Sequence, residues 1–184
     1  VLIDSHDFLC KKLLNKFTLP SGVLRETFSN LKRADLIIQN NKDRELRIIP
    51  QLEAYGKDIS VLRYKTEYFI DNKNSILQNY KYDALLFSGI ANDESFVNMV
   101  KQSGINVSEV IQYSDHYIYN EADITLLVKK YREGKIFITT EKDFIKLRRF
   151  EEFVNKYPVY FLKLGIEIIL NSNVLYKKLD EIIK

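Results

Sequence analysis

Short apolar runs alternate with helix-like stretches along most of the chain, as in "DALLFS" at 83–88 and "KIFIT" at 135–139. Parallel strands cannot be joined by tight turns; each return needs a crossover of a dozen or more residues, which a helix supplies. The alternation therefore predicts an α/β fold, a mostly parallel sheet with flanking helices. Strands are expected at 1–3, 35–39, 59–70, 83–88, 107–112, 135–139 and 158–162, and helices at about 25–33, 46–54, 93–103, 121–132, 141–147, 149–156 and 172–183.

Start and stop residues agree with these spans. Asn92 or Asp93 can cap the helix from 93, and Gly104 can end it in the left-handed conformation; Asn120 and Gly134 bracket the next helix in the same way. Val174, Leu175, Leu179, Ile182 and Ile183 form an apolar stripe that should dock the last helix on the sheet. The stretch "YKTEYFIDNKNSILQNYKYD" mixes aromatic and polar residues on both faces, which suggests a ribbon or linker. We expect 1–45 to be the tail of one lobe, 46–74 a linker region with a β-ribbon, and 75–184 a second α/β lobe. An opening Val1 and a strand end at Val1-Leu2-Ile3 suggest a piece of a longer protein.

Lysine and arginine outnumber aspartate and glutamate by only 28 to 25. So small and dispersed an excess argues against nucleic acid as a partner. No run reaches the roughly 18 apolar residues of a membrane span, and no signal-peptide pattern opens the chain. Cys10 has no partner for an internal disulfide, which agrees with a reducing compartment. Asp4, His6 and Asp7 in "IDSHDF" lack the second histidine or cysteine cluster that would complete a tetrahedral metal site.

Four stretches hold the chemistry-bearing residues. In "LPSGVLRE" (19–26), Arg25 and Glu26 stand at a helix start where a guanidinium and backbone N–H groups can meet an anion; a plain loop with a helix-opening glutamate explains the same pattern. In "FSGIANDESF" (87–96), Ser88-Gly89 lies where a parallel strand runs into a helix, the edge at which ligands of open α/β sheets bind. Ordinary strand-to-helix connections look the same. In "ITTEKDFIKL" (138–147), Thr140 and Asp143 resemble a capping box, and Lys142 and Lys146 form either a cationic edge or a solvated face. In "QYSDHYIYNEAD" (112–123), Asp115 and His116 follow a strand end. A histidine beside a carboxylate can carry or orient a proton near neutral pH, or can merely cap the next helix or bond a tyrosine. If the sheet is parallel, three strand ends place Ser88-Gly89, Asp115-His116 and Thr139-Thr140 on one rim.

In this order and spacing, the four stretches resemble the C-terminal part of the tetraacyldisaccharide 4'-kinases, the lipid A 4'-kinase family of Gram-negative bacteria. The first resembles the family's LPAGxLREPxxxLxRAD segment and the second its AFxGIGxPxxFxxxLxxxG segment. "QYSDHYIYNEAD" is similar to FPDHxxYxxxD, and "IFITTEKDFIKL" to LMTEKDxxKL. The resemblance implies a P-loop NTPase-like kinase fold with a smaller α/β lobe and a two-stranded linker. It implies transfer of the ATP γ-phosphate, with Mg2+, to the 4'-hydroxyl of a tetraacylated disaccharide 1-phosphate lipid, at the cytoplasmic face of the bacterial inner membrane. By match, His116 takes the place of the family's histidine that acts with an acidic residue of the other lobe to deprotonate the sugar hydroxyl, with Asp115 beside it. Arg25, with Glu26, and the Ser88-Gly89 turn fall on the expected substrate side. No obligate protein partner is implied.

Departures are also clear. Neither GxxxxGK[ST] nor the family's DDGFQH segment occurs, so ATP and Mg2+ are expected to be held mainly by residues outside this chain, and the chain alone to be inactive. Ser114 replaces the proline of FPDH and Thr27 that of LREP, and the GIGxP turn reads Gly89-Ile90-Ala91-Asn92-Asp93. Two other readings fit the same residues: a non-catalytic module binding an acyl-sugar or a partner, and an unrelated α/β enzyme in which Asp115 and His116 point into the core.

Overall fold

The computed structural model describes residues 1–5, 18, 26–91 and 93–183. Arg25, Asn92, Cys10, His6 and Asp7 lie outside them. Among the described residues seven strands and six α-helices follow in order: β1 (Leu2–Asp4), β2 (Ile37–Asn40), α1 (Pro50–Glu53), β3 (Ile59–Ile70), β4 (Asp83–Ser88), α2 (Asp93–Gln102), β5 (Asn106–Gln112), α3 (Glu121–Lys130), β6 (Lys135–Thr140), α4 (Glu141–Leu147), α5 (Glu151–Lys156), β7 (Val159–Leu170) and α6 (Ser172–Ile183). A 3₁₀ helix, Phe28–Arg33, stands where the sequence suggested an α-helix from 25.

The chain divides into two compact units, residues 1–64 with 166–184, and residues 65–165. The sequence suggests that 166–184 belongs with 75–165; the observed grouping differs because β7 runs eight residues beyond Leu162, to Leu170, and carries the chain back into the first unit. Lys163 and Gly165 interrupt the apolar run there and hide the continuation.

In the first unit the strand order is β1-β2-β3-β7. The β1 and β2 strands pair in parallel (Leu2 opposite Ile38), as do β2 and β3 (Ile37 opposite Ile59). Ile3, Leu31, Ile37, Ile49, Leu52, Ile59 and Val61 form its buried core. On β3 and β7, Ser60 bonds the Asn171 carbonyl and Arg63 pairs with Glu167 at 2.7 Å, so the two strands run in opposite directions. Of the stripe on α6 only Leu175 is buried; Ile182 and Ile183 are 80% and 81% exposed, so the expected docking is confined to the first turns.

In the second unit the order is β3-β7-β6-β4-β5, and β7, β6, β4 and β5 are mutually parallel. Side chains alternate across a strand. Leu85, Phe87 and Phe137 accordingly pack with Tyr119, Ile124, Leu127, Phe144 and Phe153 from the α3, α4 and α5 region in one core. Because the four strands are parallel, the ends at Ser88, Gln112 and Thr140 share one edge of the sheet.

Candidate active site

That edge brings three of the four stretches together. After β5 the chain turns at once: the Tyr117 N–H donates to the Ser114 carbonyl at 3.1 Å, closing a four-residue turn with His116 third. His116 has φ +60°. This third position in a turn with positive φ favours Gly or Asn, and a side chain there costs about 1–2 kcal/mol. Outliers of this sort concentrate at working sites, where the surroundings hold them.

Two backbone hydrogen bonds tie the turn to the end of β4. The Tyr113 N–H donates to the Ser88 carbonyl at 2.9 Å, and the His116 N–H to the Gly89 carbonyl at 3.2 Å. The His116 N–H also reaches Asp115 Oδ1 at 2.9 Å. The His116 ring is exposed, with Nε2 3.7 Å from Asp115 Oδ2, and Lys142 Nζ of α4 lies 3.5 Å from Asp115 Oδ1. Asp115 thus sits between an imidazole and an ammonium at the surface, so both side chains face the rim and neither points into the core.

Beneath the turn lies Asp143, one turn into α4 and 0% exposed. Its Oδ2 accepts from the Gly89 N–H at 2.9 Å and from Thr140 Oγ1 at 2.8 Å, and its Oδ1 pairs with Lys146 Nζ at 2.8 Å. Half of the expected capping box forms: the Asp143 N–H donates to Thr140 Oγ1 at 3.1 Å, but the carboxylate reaches to the neighbouring strand end instead of the Thr140 backbone. Lys146 is therefore paired, and Lys142 faces Asp115.

Gly89 is required here by close approach. A Cβ on it would stand 3.0 Å from Tyr117 Cβ and 3.2 Å from the Ser114 carbonyl oxygen. Both its backbone polar groups are occupied, by Asp143 and His116. Ser88 is buried and its hydroxyl has no protein partner, a condition shared among the described residues by Thr139, Tyr113 and Tyr119.

Tyr113, Tyr117 and Tyr119 pack on one another, the first two stacked at 4.6 Å. Burial, then the Asp123 carboxylate, pushes the Tyr113 hydroxyl up to about 12. Burial and the nearby Asp143 carboxylate also raise Tyr119 well above its ordinary value. These tyrosines stay protonated and brace the turn as apolar bodies.

The sequence profile of tetraacyldisaccharide-1-P 4'-kinase matches residues 1–184. The chain belongs to the tetraacyldisaccharide-1-P 4'-kinase family. It is 32% identical over 171 residues to the tetraacyldisaccharide 4'-kinase of Pelagibacter ubique, covering 91% of this chain and 52% of that protein. It is 32% identical over 175 residues to that of Wigglesworthia glossinidia brevipalpis, covering 94% and 44%. The chain spans about half the length of the curated relatives it matches. The crystal structure of the "apo" form of LpxK from Aquifex aeolicus in complex with ATP has the same fold, with TM-score 0.65, 23% identity, and coverage of 98% of this chain and 50% of that one. The fold class expected from the alternating runs is thereby met: an α/β sheet of seven mostly parallel strands with flanking helices, shared with a solved member of the kinase family.

Within this family member, Asp115, His116, Ser88, Gly89 and Thr140 share one rim, all in the second unit. Glu26 belongs to the first unit, where its carboxylate is exposed and accepts from Asn30 at 2.9 Å and Arg33 at 2.8 Å. Asp143 and Tyr119 were not singled out by sequence reasoning as site residues. The Thr-x-x-Asp spacing pointed to a helix cap, and the available signal was that Tyr119 and Asp143 fall on fixed positions of the segments FPDHxxYxxxD and LMTEKDxxKL.

Proposed function

We propose that the full-length protein transfers the γ-phosphate of ATP to the 4'-hydroxyl of a tetraacylated disaccharide 1-phosphate lipid, and that this chain supplies the histidine on the acceptor side. The observation that carries the reading is His116 itself: an exposed imidazole on a braced, left-handed turn, beside Asp115, at the carboxyl edge of a parallel sheet. Family membership gives the reaction class.

Phosphoryl transfer asks for alignment, charge neutralisation and removal of one proton. The acceptor hydroxyl oxygen bonds to the γ-phosphorus as the bond to the ADP oxygen breaks, and the hydroxyl proton leaves. His116 takes or relays that proton, and Asp115 stabilises the imidazolium and orients the ring. Lys142, on the other side of Asp115, limits how much negative charge the turn presents to an anionic substrate. Arg25 is our candidate for a bidentate contact to phosphate oxygens, since the planar guanidinium fits oxygen pairs. Glu26 lies beside it, and Ser88-Gly89 lines the acceptor side of the rim.

ATP is the phosphate donor in this reading, with Mg2+. Among the described residues no group of three or more His, Cys, Asp or Glu could hold a metal ion, and the sequence has no GxxxxGK[ST]. The described residues do not make that centre. We place it on segments beyond this chain. No described helix is long and apolar enough to cross a membrane; a lipid substrate is the reason for placing the protein at the cytoplasmic face of the inner membrane.

The test is transfer of labelled phosphate from ATP to tetraacyldisaccharide 1-phosphate by this chain, by the full-length protein and by its His116→Ala variant. Transfer by the full-length protein alone is expected, with turnover of the variant lower by about 10²–10⁴-fold and its melting temperature unchanged. Full turnover in the variant would remove His116 from the chemistry, and no transfer by any of the three would leave a binding module.

A further inference from the structure

Asp143 is a fully buried carboxylate with one ammonium partner. Burying a charge is costly even when it is paired, and replacing such a pair by apolar residues is often neutral or stabilising. A helix cap alone does not account for it, because Thr140 already receives the Asp143 N–H and an exposed cap would serve as well. What the burial does achieve is a connection between elements. Asp143 Oδ2 fixes the Gly89 N–H, the Gly89 carbonyl fixes the His116 N–H, and Gly89 leaves no room for a side chain between them. The residue at the end of this relay is the one held at φ +60°.

We infer that Asp143 is a positioning residue for the Asp115-His116 turn, acting through the peptide groups of Gly89. Lys146 compensates the buried charge from the adjacent turn of α4, and its ammonium stands 5.9 Å from the centre of the buried Tyr119 ring. The carboxylate accepts three hydrogen bonds and so is locked in orientation, which a neutral amide could not reproduce toward Gly89, Thr140 and Lys146 together. Its effect on turnover rests on the catalytic reading of His116; its effect on the turn does not.

The experiment therefore has two arms, both in the full-length protein with Asp143→Asn. In the first, hydrogen exchange is followed over residues 112–120. Exchange at least about tenfold faster there than in the parent is expected, because the hydrogen bond protecting the His116 amide opens more readily; unchanged exchange overturns the inference. In the second arm, kcat is expected to fall about 10- to 100-fold with KM for both substrates within about twofold, the cost of a misplaced group. The double variant with His116→Ala should be no slower than His116→Ala alone. Multiplicative losses would mean that Asp143 acts elsewhere and would overturn the inference. If His116→Ala retains full turnover, the catalytic reading fails, and the exchange arm alone decides the positioning role. Should Asp143→Asn fail to fold, Asp143→Asn with Lys146→Met removes both charges of the pair and carries the same two readouts.

Discussion

At the carboxyl end of β2, Gln39, Asn40 and Asn41 bury their side-chain amides and all three find protein partners; at the ends of β4 and β6, Ser88 and Thr139 are as deeply buried and their hydroxyls find none. Gln39 receives the Ile49 N–H at 2.9 Å and donates to Asn41 and to the Arg47 carbonyl. Asn40 donates to Tyr64 Oη at 3.0 Å and accepts the Lys42 N–H at 2.9 Å, and Asn41 donates to the Glu45 carbonyl at 3.0 Å. The first unit thus uses buried polarity to pin loop 41–49 to its strand. In the second unit buried polarity is left partly unspent near an exposed histidine, at a cost of about 1–3 kcal/mol for each unmade hydrogen bond. Two edges built from the same kind of strand end therefore do different work: one is scaffold, and the other holds a strained turn.

The sharpest way to break this contrast is Gln39→Ala. It strands the Ile49 N–H, removes the Gln39 donor from Asn41 Oδ1 and leaves the Arg47 carbonyl only the longer bond from Asn41 at 3.3 Å, and a loss of about 2–4 kcal/mol in urea denaturation is expected; a loss below about 1 kcal/mol would mean that the amide cluster is not a scaffold. Next is Gly89→Ala, whose methyl must displace Tyr117 or the Ser114 carbonyl. Overpacking of this sort costs about 1–3 kcal/mol, and a thermal melt indistinguishable from the parent would show the turn to be soft. Smaller still is Thr139→Val, nearly the same shape without the unpartnered hydroxyl. Stability should hold or rise by up to about 1 kcal/mol, and a clear loss would show that the two edges are alike.

The last effect is absent at neutral pH and shows only in alkali. Tyr113 has its pKa raised from 10.0 to about 12 in the folded protein, so the fold binds its proton more tightly than the unfolded chain does. Its contribution to stability is fully present below pH 10 and is lost as pH rises from 10 through about 12. Unfolding followed by circular dichroism should therefore steepen in that window, and Tyr113→Phe should flatten it. An identical alkaline profile in the variant would separate Tyr113 from the rim's stability.

Much of the frame was legible before any coordinates. "DALLFS" and "KIFIT" read as buried strands because unbroken apolar runs have few other uses at that length, and the positive φ at Gly104 (90°) agrees with its expected role as a helix end; Gly134 (81°) does not close its helix, which has already ended at Lys130 with Tyr131 as an extended cap, and lies instead in the turn before β6. Convergence of Ser88-Gly89, Asp115-His116 and Thr140 on one rim followed from strand direction alone. Less was legible where partners come from distant segments. Asn40 and Tyr64 are 24 residues apart, and Gly89 and Asp143 are 54 apart. No local pattern announces such a bond. Asp143 looked like a helix-cap residue because three-residue spacing reports only on its own helix. The stripe on α6 misled for the same reason, since amphipathicity gives the face that is apolar and not what covers it.

By itself the sequence determined the order of strands and helices, the parallel direction of most of the sheet and hence the edge on which its polar residues would gather, because side-chain period and crossover length are local properties of the chain. The tertiary structure decided which of those residues touch. It turned Asp143 inward onto Gly89, placed His116 in a left-handed turn and left its ring exposed. Those outcomes depend on hydrogen bonds between strand ends far apart in the chain, whose geometry exists only once the sheet has formed.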